Sequence, residues 1–289
     1  MKKSIFTVAL ILGAATTTIA QDKQYTPESG DWAVGIDATP FLNYFGNFIG
    51  GNGTNTAPTW NFLTKNQTIT GKYFAADDMA YRGSLRLGFG SSTEREFVND
   101  DAVTTAPTYP ALPSTLEDSH KSGFMNVGLS GGIEYRKGSG RLVGFYGAEL
   151  GIALSSFSES YEYGNAIVAA NGFASTNDFG SNITSDATNG ANTARILSEK
   201  SGTTFGLGLR GFIGAEYFVL PKMSIGGEFG WGLGFQSTGA STTELESTDG
   251  ATVNVQVVEG TKSSSFGIDT DSNNSVFGPA GSLRLTFHF

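Results

Sequence analysis

Cysteine is absent from the 289 residues, which excludes a disulfide framework and any thiolate metal site. Histidine occurs twice, at His120 and His288, which leaves little material for nucleophile and base pairs. Proline is scarce at 8 residues, and charged residues make up only 16% of the chain. Beyond the first twenty positions no apolar run approaches the roughly 20 residues that a spanning helix needs. Mean hydropathy is slightly negative at -0.11, so a helical membrane span is excluded. The formal charge of -9 argues against nucleic acid or an anionic lipid surface as partner, and by itself names no other.

What is present is 40 glycines, 22 phenylalanines and 10 tyrosines. That mixture suits many strands, aromatic belts and a tightly packed interior. At the amino end Lys2 and Lys3 precede an apolar run from Ile5 to Ala15 and a Thr18-Ile19-Ala20 site. Residues 1–20 read as a secretory signal peptide cleaved before Gln21, which takes the formal charge to -11. No cysteine follows that site to carry a lipid anchor. Residues 21–30 are expected as a short periplasmic segment and residues 31–289 as the single domain.

Period-two alternation marks eight segments: Asp31 to Leu42, Thr68 to Phe74, Ala80 to Phe97, Ser122 to Arg136, Arg141 to Tyr161, Ser201 to Val219, Met223 to Thr243 and Ser275 to Phe289. Three connections are short (Ala75 to Met79, Lys137 to Gly140, Leu220 to Lys222), and four are long, starting near Asn43, Val98, Glu162 and Glu244. Short turns on one rim and long loops on the other predict an all-β fold, an eight-stranded antiparallel up-and-down transmembrane β-barrel. Its three short turns would be periplasmic and its four long loops extracellular. Pro40 and Pro279 cannot donate to a ladder, so regular pairing is expected to stop near Thr39 and resume after Pro279.

The two faces of these segments separate cleanly. One carries residues such as Trp32, Val34, Leu85, Leu87, Phe89, Leu150, Ile152, Leu209, Trp231, Leu285 and Phe287, and no charge. The other carries Asp37, Lys72, Arg82, Arg86, Glu134, Arg136, Glu149, Arg210, Glu216, Glu228 and Arg284, six basic and five acidic, among Gly and Ser. An inverted, lipocalin-type barrel would wrap the apolar set around a ligand. An eight-strand interior is too narrow for so many large side chains, so the apolar face is assigned to lipid and the polar face to the lumen.

The strand, acidic turn and strand of Gly71-Lys72-Tyr73-Phe74-Ala75-Ala76-Asp77-Asp78-Met79-Ala80 and the terminal Leu283-Arg284-Leu285-Thr286-Phe287-His288-Phe289 carry a family resemblance. The chain resembles the small outer-membrane β-barrels, comprising the OmpA transmembrane domain, OmpX and the opacity-protein type. The resemblance covers nearly all of the chain after the signal and is one of pattern, specific for fold and weak for function. It implies outer-membrane lipid as surroundings. It also implies that the aromatic carboxy-terminal strand, with Phe287 and Phe289, is the signal read by the barrel-assembly machinery. The peptidoglycan-binding domain of OmpA has no counterpart here.

The charged face is expected to form ion pairs that close the lumen, because an isolated buried charge costs several kcal/mol. A gate that passes ions is the competing reading, but a near-balanced set suits closure better than selectivity, which favours rings of one sign. Gly206-Leu207-Gly208-Leu209-Arg210-Gly211 fits a dinucleotide fingerprint only as a string, since it lies within a strand. Asp269-Thr270-Asp271-Ser272-Asn273 resembles the start of a calcium loop but has Asn274 and Ala280 where Gly and Glu are needed. His120, beside Asp118 and Ser119, reads as a surface loop residue, and His288 as interior, near the periplasmic end. The Thr-, Ser- and Asn-rich loops read as a hydrated cover or a receptor surface. No catalytic residue, cofactor or metal is expected. The expected function is an outer-membrane protein with a salt-bridged closed lumen and a structural or surface-interaction role through its loops, toward an extracellular ligand or an envelope partner protein. The alternatives are a narrow solute channel and an accessory subunit of a larger envelope complex.

Overall fold

The computed structural model describes residues 25–37, 69–105, 107–138, 140–167, 179, 183–184, 194–248, 251–270 and 283–289. The proposed signal peptide, Pro40 and Pro279 lie outside these residues. The strands are β1 (Trp32–Asp37), β2 (Ile69–Ala76), β3 (Met79–Asn99), β4 (Thr115–Lys137), β5 (Leu142–Glu162), β6 (Ile183–Thr184), β7 (Ala194–Lys200), β8 (Thr204–Leu220), β9 (Met223–Thr238), β10 (Thr242–Thr248), β11 (Val253–Glu259), β12 (Ser263–Thr270) and β13 (Leu283–His288). All pairings are antiparallel, and no helix occurs among the described residues.

Eight strands pair in the closed order β1-β2-β3-β4-β5-β8-β9-β13, with β13 returning to β1. At the seam the Trp32 N–H donates to the Phe289 carbonyl and the Phe289 N–H to the Trp32 carbonyl, each at 2.9 Å. These strands fall on the eight alternating segments of the sequence, because a side-chain period of two locks the register once one face is buried. Closure leaves the ring strands no edge at this level.

The long connections depart from expectation. Those after β5 and β9, read as hydrated cover, carry paired strands. The segment expected to run from Met223 to Thr243 breaks instead at residues 239–241, and β10 swings away to pair with β7, which in turn pairs with the upper end of β5. Gly202 and Gly239 permit this, since a Cβ on Gly202 would overlap the Gly239 carbonyl. β11 extends the sheet from β10, and β12 pairs with the upper half of β9. The β3–β4 hairpin likewise continues ten or so residues past the apolar stretch, with residues 91–97 exposed on both faces. The extension has its own small core of Ile167, Ala194 and Leu245 with buried Arg195.

Candidate functional site

The ring's register stacks inward-pointing residues in rows. Arg82 lies opposite Gly132, Gly132 opposite Glu149, Glu149 opposite Arg210, and Arg210 opposite Gly232. A Cβ on Gly132 would sit 2.7 Å from the Glu149 Cβ, so glycine here gives Glu149 the room to cross the interior.

The side chains in these rows form one ionic network. Glu228 accepts a two-pronged contact from Arg82 at 2.9 and 3.1 Å, a bond from Arg210 at 2.9 Å, and lies 3.3 Å from Arg284. Glu149 is shared by Arg210 at 2.9 Å and Arg82 at 3.2 Å. Glu134 takes Lys72 and Arg136 at 2.9 Å each, and Arg136 reaches on to Glu216 at 2.6 Å. Apart from Arg284, whose side chain is 20% exposed, every side chain in these pairs is at most 7% exposed. Sharing Glu134, Glu149 and Glu228 among two or three cations each is what makes burial tolerable, because each ion loses its hydration and recovers it only through charged hydrogen bonds.

Four phenylalanines that the sequence reading passed over line the same interior. The Arg82 guanidinium lies 4.1 Å from the Phe212 ring centre, Lys72 4.9 Å from Phe145, and Arg136 5.2 Å from Phe74. Phe218 is fully buried against His288, with ring centres 5.2 Å apart. Their signal was phase: Phe212 and Phe218 stand in step with Arg210 and Glu216. Cations over ring faces gain attraction without needing another anion.

Two members of the predicted charge set are not joined to the network by any described contact. Arg86 is half-buried above the network and makes no ion pair among the described residues. Its described row offers Gly128 opposite and Ala153 beyond, so the expected pairing finds no carboxylate for Arg86 among the described residues. Asp37 ends β1 opposite Arg284, and its side chain lies outside the described residues. The cavity bounded by Lys72, Phe145, Glu216, Glu228, Arg284 and Thr286 holds about 10 Å³, room for a single water.

Below the network, His288 is buried as expected. Its Nε2 lies 3.1 Å from the Ser224 hydroxyl and 3.3 Å from Glu216, and Ser224 also donates to Glu216. Serine and carboxylate share one ring nitrogen, whereas a nucleophilic relay needs them on opposite nitrogens. With Ser224 fully buried, this trio fastens the last strand. Phe287 and Phe289 face outward and are exposed.

His120 is corrected from a surface loop residue to a packed one. It sits in β4 opposite Tyr161, the rings stacked at 4.5 Å, with Phe179 at 5.5 Å and Glu159 3.6 Å away. Burial, then the neighbouring Glu159 and Glu199 carboxylates, push the Tyr161 phenol up to about 12. The Gly206–Gly211 string lies mid-strand in β8. Asp269 and Thr270 end β12, their side chains and residues 271–274 lying outside the described residues. Among the described residues no group of three potential ligands could hold a metal ion.

The outer face is the complement. Leu85, Leu87, Phe89, Leu150, Ile152, Leu207, Leu209, Trp231 and Leu233 are all exposed on the ring, and no charge stands among them. Near the short turns this face carries Trp32, Tyr73, Tyr81, Tyr135, Tyr146 and Tyr217, with Trp32 and Tyr73 rings 4.8 Å apart. From Tyr81 to Phe89 the strand rises roughly 27 Å before tilt.

No known protein-family pattern matches the chain, and no curated protein is significantly similar to it.

Proposed function

We propose that the chain is an integral outer-membrane β-barrel whose lumen is closed by its ionic network, with a structural or surface-interaction role exercised through the extracellular extension of its sheet. The observation that carries this reading is the inversion of polarity. A ring that buries four glutamates with five Lys and Arg partners while exposing a charge-free belt of Leu, Ile, Phe and Trp is built for a hydrocarbon surrounding. In water the same belt would be an apolar patch far larger than soluble monomers tolerate. The belt's height suits a hydrocarbon band of about 25 Å crossed by tilted strands, and the Trp and Tyr row marks one interface.

The reading of closure rather than conduction is supported by the buried ion pairs and by the cavity beside them, which admits one water. A selective pore favours rings of one sign around an open path. The surface role rests on the extension: β11, paired to β10 and through it to β7, presents Val255 and Val257 outside the ring, whereas Phe266 and Ile268 of β12 lie beside Phe235 and Leu233 and continue the apolar belt. The resemblance to small outer-membrane barrels supports the same assignment and names no ligand.

The test is single-channel recording of the refolded protein in a planar bilayer, with folding verified by heat-dependent gel mobility. A folded, silent barrel is expected. Steady conductance that shifts when Arg210 is replaced would transfer the protein to the channel class, and failure to insert into bilayers or detergent would refute the membrane reading altogether.

A further inference from the structure

We propose that residues 25–31 form a latch across the short-turn mouth of the ring, a second closure in series with the ionic network, and that it opens while the ring stays folded. Residues 25–31 do not run off into solvent. It touches all three short turns. The Ser29 N–H donates to Asp77 Oδ1 at 2.9 Å and the Ser29 hydroxyl to the Ala75 carbonyl at 3.2 Å, both at the β2–β3 turn. Arg141, at the foot of β5, donates to the Tyr25 hydroxyl at 2.6 Å and holds its guanidinium 4.3 Å from the centre of that ring. Asp31 pairs with Lys222 of the β8–β9 turn at 2.8 Å.

These contacts give the segment a direction. In the closed order of strands β5 is the fifth from β1, so it stands opposite β1 across the ring. A segment that starts at β1 and ends against Arg141 therefore traverses the mouth, and seven residues reach roughly 20 Å, enough for that crossing. Pro27, within the segment, is buried. Gly30, at a φ of +96°, makes the bend into β1, where its N–H donates to the Phe74 carbonyl at 2.7 Å. Behind the latch stand Phe74, Phe218 and His288, the lowest layer of the interior.

The latch differs from the network in how it is held. The network's ion pairs are almost wholly buried, but the Lys222 side chain is 42% exposed and that of Asp31 19%. Exposed pairs of this kind are weak and exchange with water, so the latch can release at a small fraction of the ring's stability. Asp31 faces Lys222 and His288; Glu28, Asp77, Tyr25, Arg141 and Tyr217 are the other titratable groups around the segment. Protonation of Asp31 removes the charge that Lys222 holds, so acid loosens the latch. The consequence for passage through the lumen rests on the closed-barrel reading. The latch itself is tested in detergent, where its failure and the failure of the membrane assignment are separate results.

The absence of cysteine supplies the experiment. Ala33→Cys places a single thiol on the inward residue of β1 nearest the latch, a site now 1% exposed. Its labelling by a small water-soluble thiol reagent should be slow, about fivefold faster with Asp31→Lys, and slow again in the swapped pair Asp31→Lys/Lys222→Asp. Tyr25→Ala, which leaves all three turns intact, should accelerate labelling in the same way and stands in if the charge reversal impairs folding. Equal rates in all variants, or a swapped pair as fast as the single change, would overturn the proposal.

Discussion

Leu209 and Arg210 are neighbours in β8 whose side chains stand on opposite faces of the ring, one exposed and one buried, and their substitutions separate the two faces. Leu209→Arg puts a charge on the exposed belt and should cost about 2 to 4 kcal/mol if the position lies near the bilayer midplane. Unfolding by urea from lipid vesicles checks this, and no loss would reverse the assignment of faces. Glu228→Leu removes the carboxylate shared by Arg82, Arg210 and Arg284 and leaves three enclosed guanidiniums short of a partner. It should cost about 3 to 5 kcal/mol, more than removing an exposed pair, because the desolvated charges remain. Asp31 belongs to the same scale. Burial alone would raise its carboxyl, but the hydrogen bond from Lys222 and that of the Glu28 N–H hold it below its ordinary value. A depressed carboxyl contributes stability above its unfolded value and loses it as pH falls through the folded one. Labelling at position 33, taken relative to the same thiol in the unfolded chain so that the thiolate's own titration cancels, should therefore accelerate only at pH below the usual carboxylate range and should not change between pH 5 and 8.

At the scale of elements, the hairpins of the ring and the extension obey different rules. The ring strands have one exposed apolar face and one buried charged face, and the alternation that results could be read residue by residue. β10, Thr-Thr-Glu-Leu-Glu-Ser-Thr, has no such contrast, and its place depends on pairing with β7 and on the Gly202 and Gly239 approach. β11 does alternate, with Val253, Val255 and Val257 against Asn254 and Gln256, so that strand was legible though it was read as loop. Gly202→Val should detach the extension without opening the ring. The expected outcome is faster proteolysis between residues 160 and 260 with unchanged heat-dependent mobility; loss of both would mean that the extension and the ring fold as one unit.

For the whole molecule the decisive quantity is closure. Among the described residues β13 forms five pairs with β1 and five with β9, and these two ladders make the seam that closes the ring. Side chains reinforce it there: Asp31 with Lys222, and Ser224, Glu216 and His288 in contact. His288→Ala should slow refolding into detergent and lower the melting temperature of the folded form, while leaving bilayer recordings silent. Recordings that become conductive would instead place His288 in the barrier.

The sequence by itself determined which residues alternate, hence eight ring strands, their turns, and the sorting of charge from hydrocarbon, because a period of two is a local property of the strand. It could also place Phe212 and Phe218 in the charged phase. Only the tertiary structure decided which charges meet. Arg82 and Glu228 are 146 positions apart and form the two-pronged pair, while Arg86, four residues along the same strand, meets no carboxylate in its row among the described residues. Partner choice depends on the register and closure of the ring, which fix distances across the interior that no periodicity encodes. The latch followed the same logic: nothing in the pattern of residues 25–31 points to a mouth until eight strands have curled round to make one.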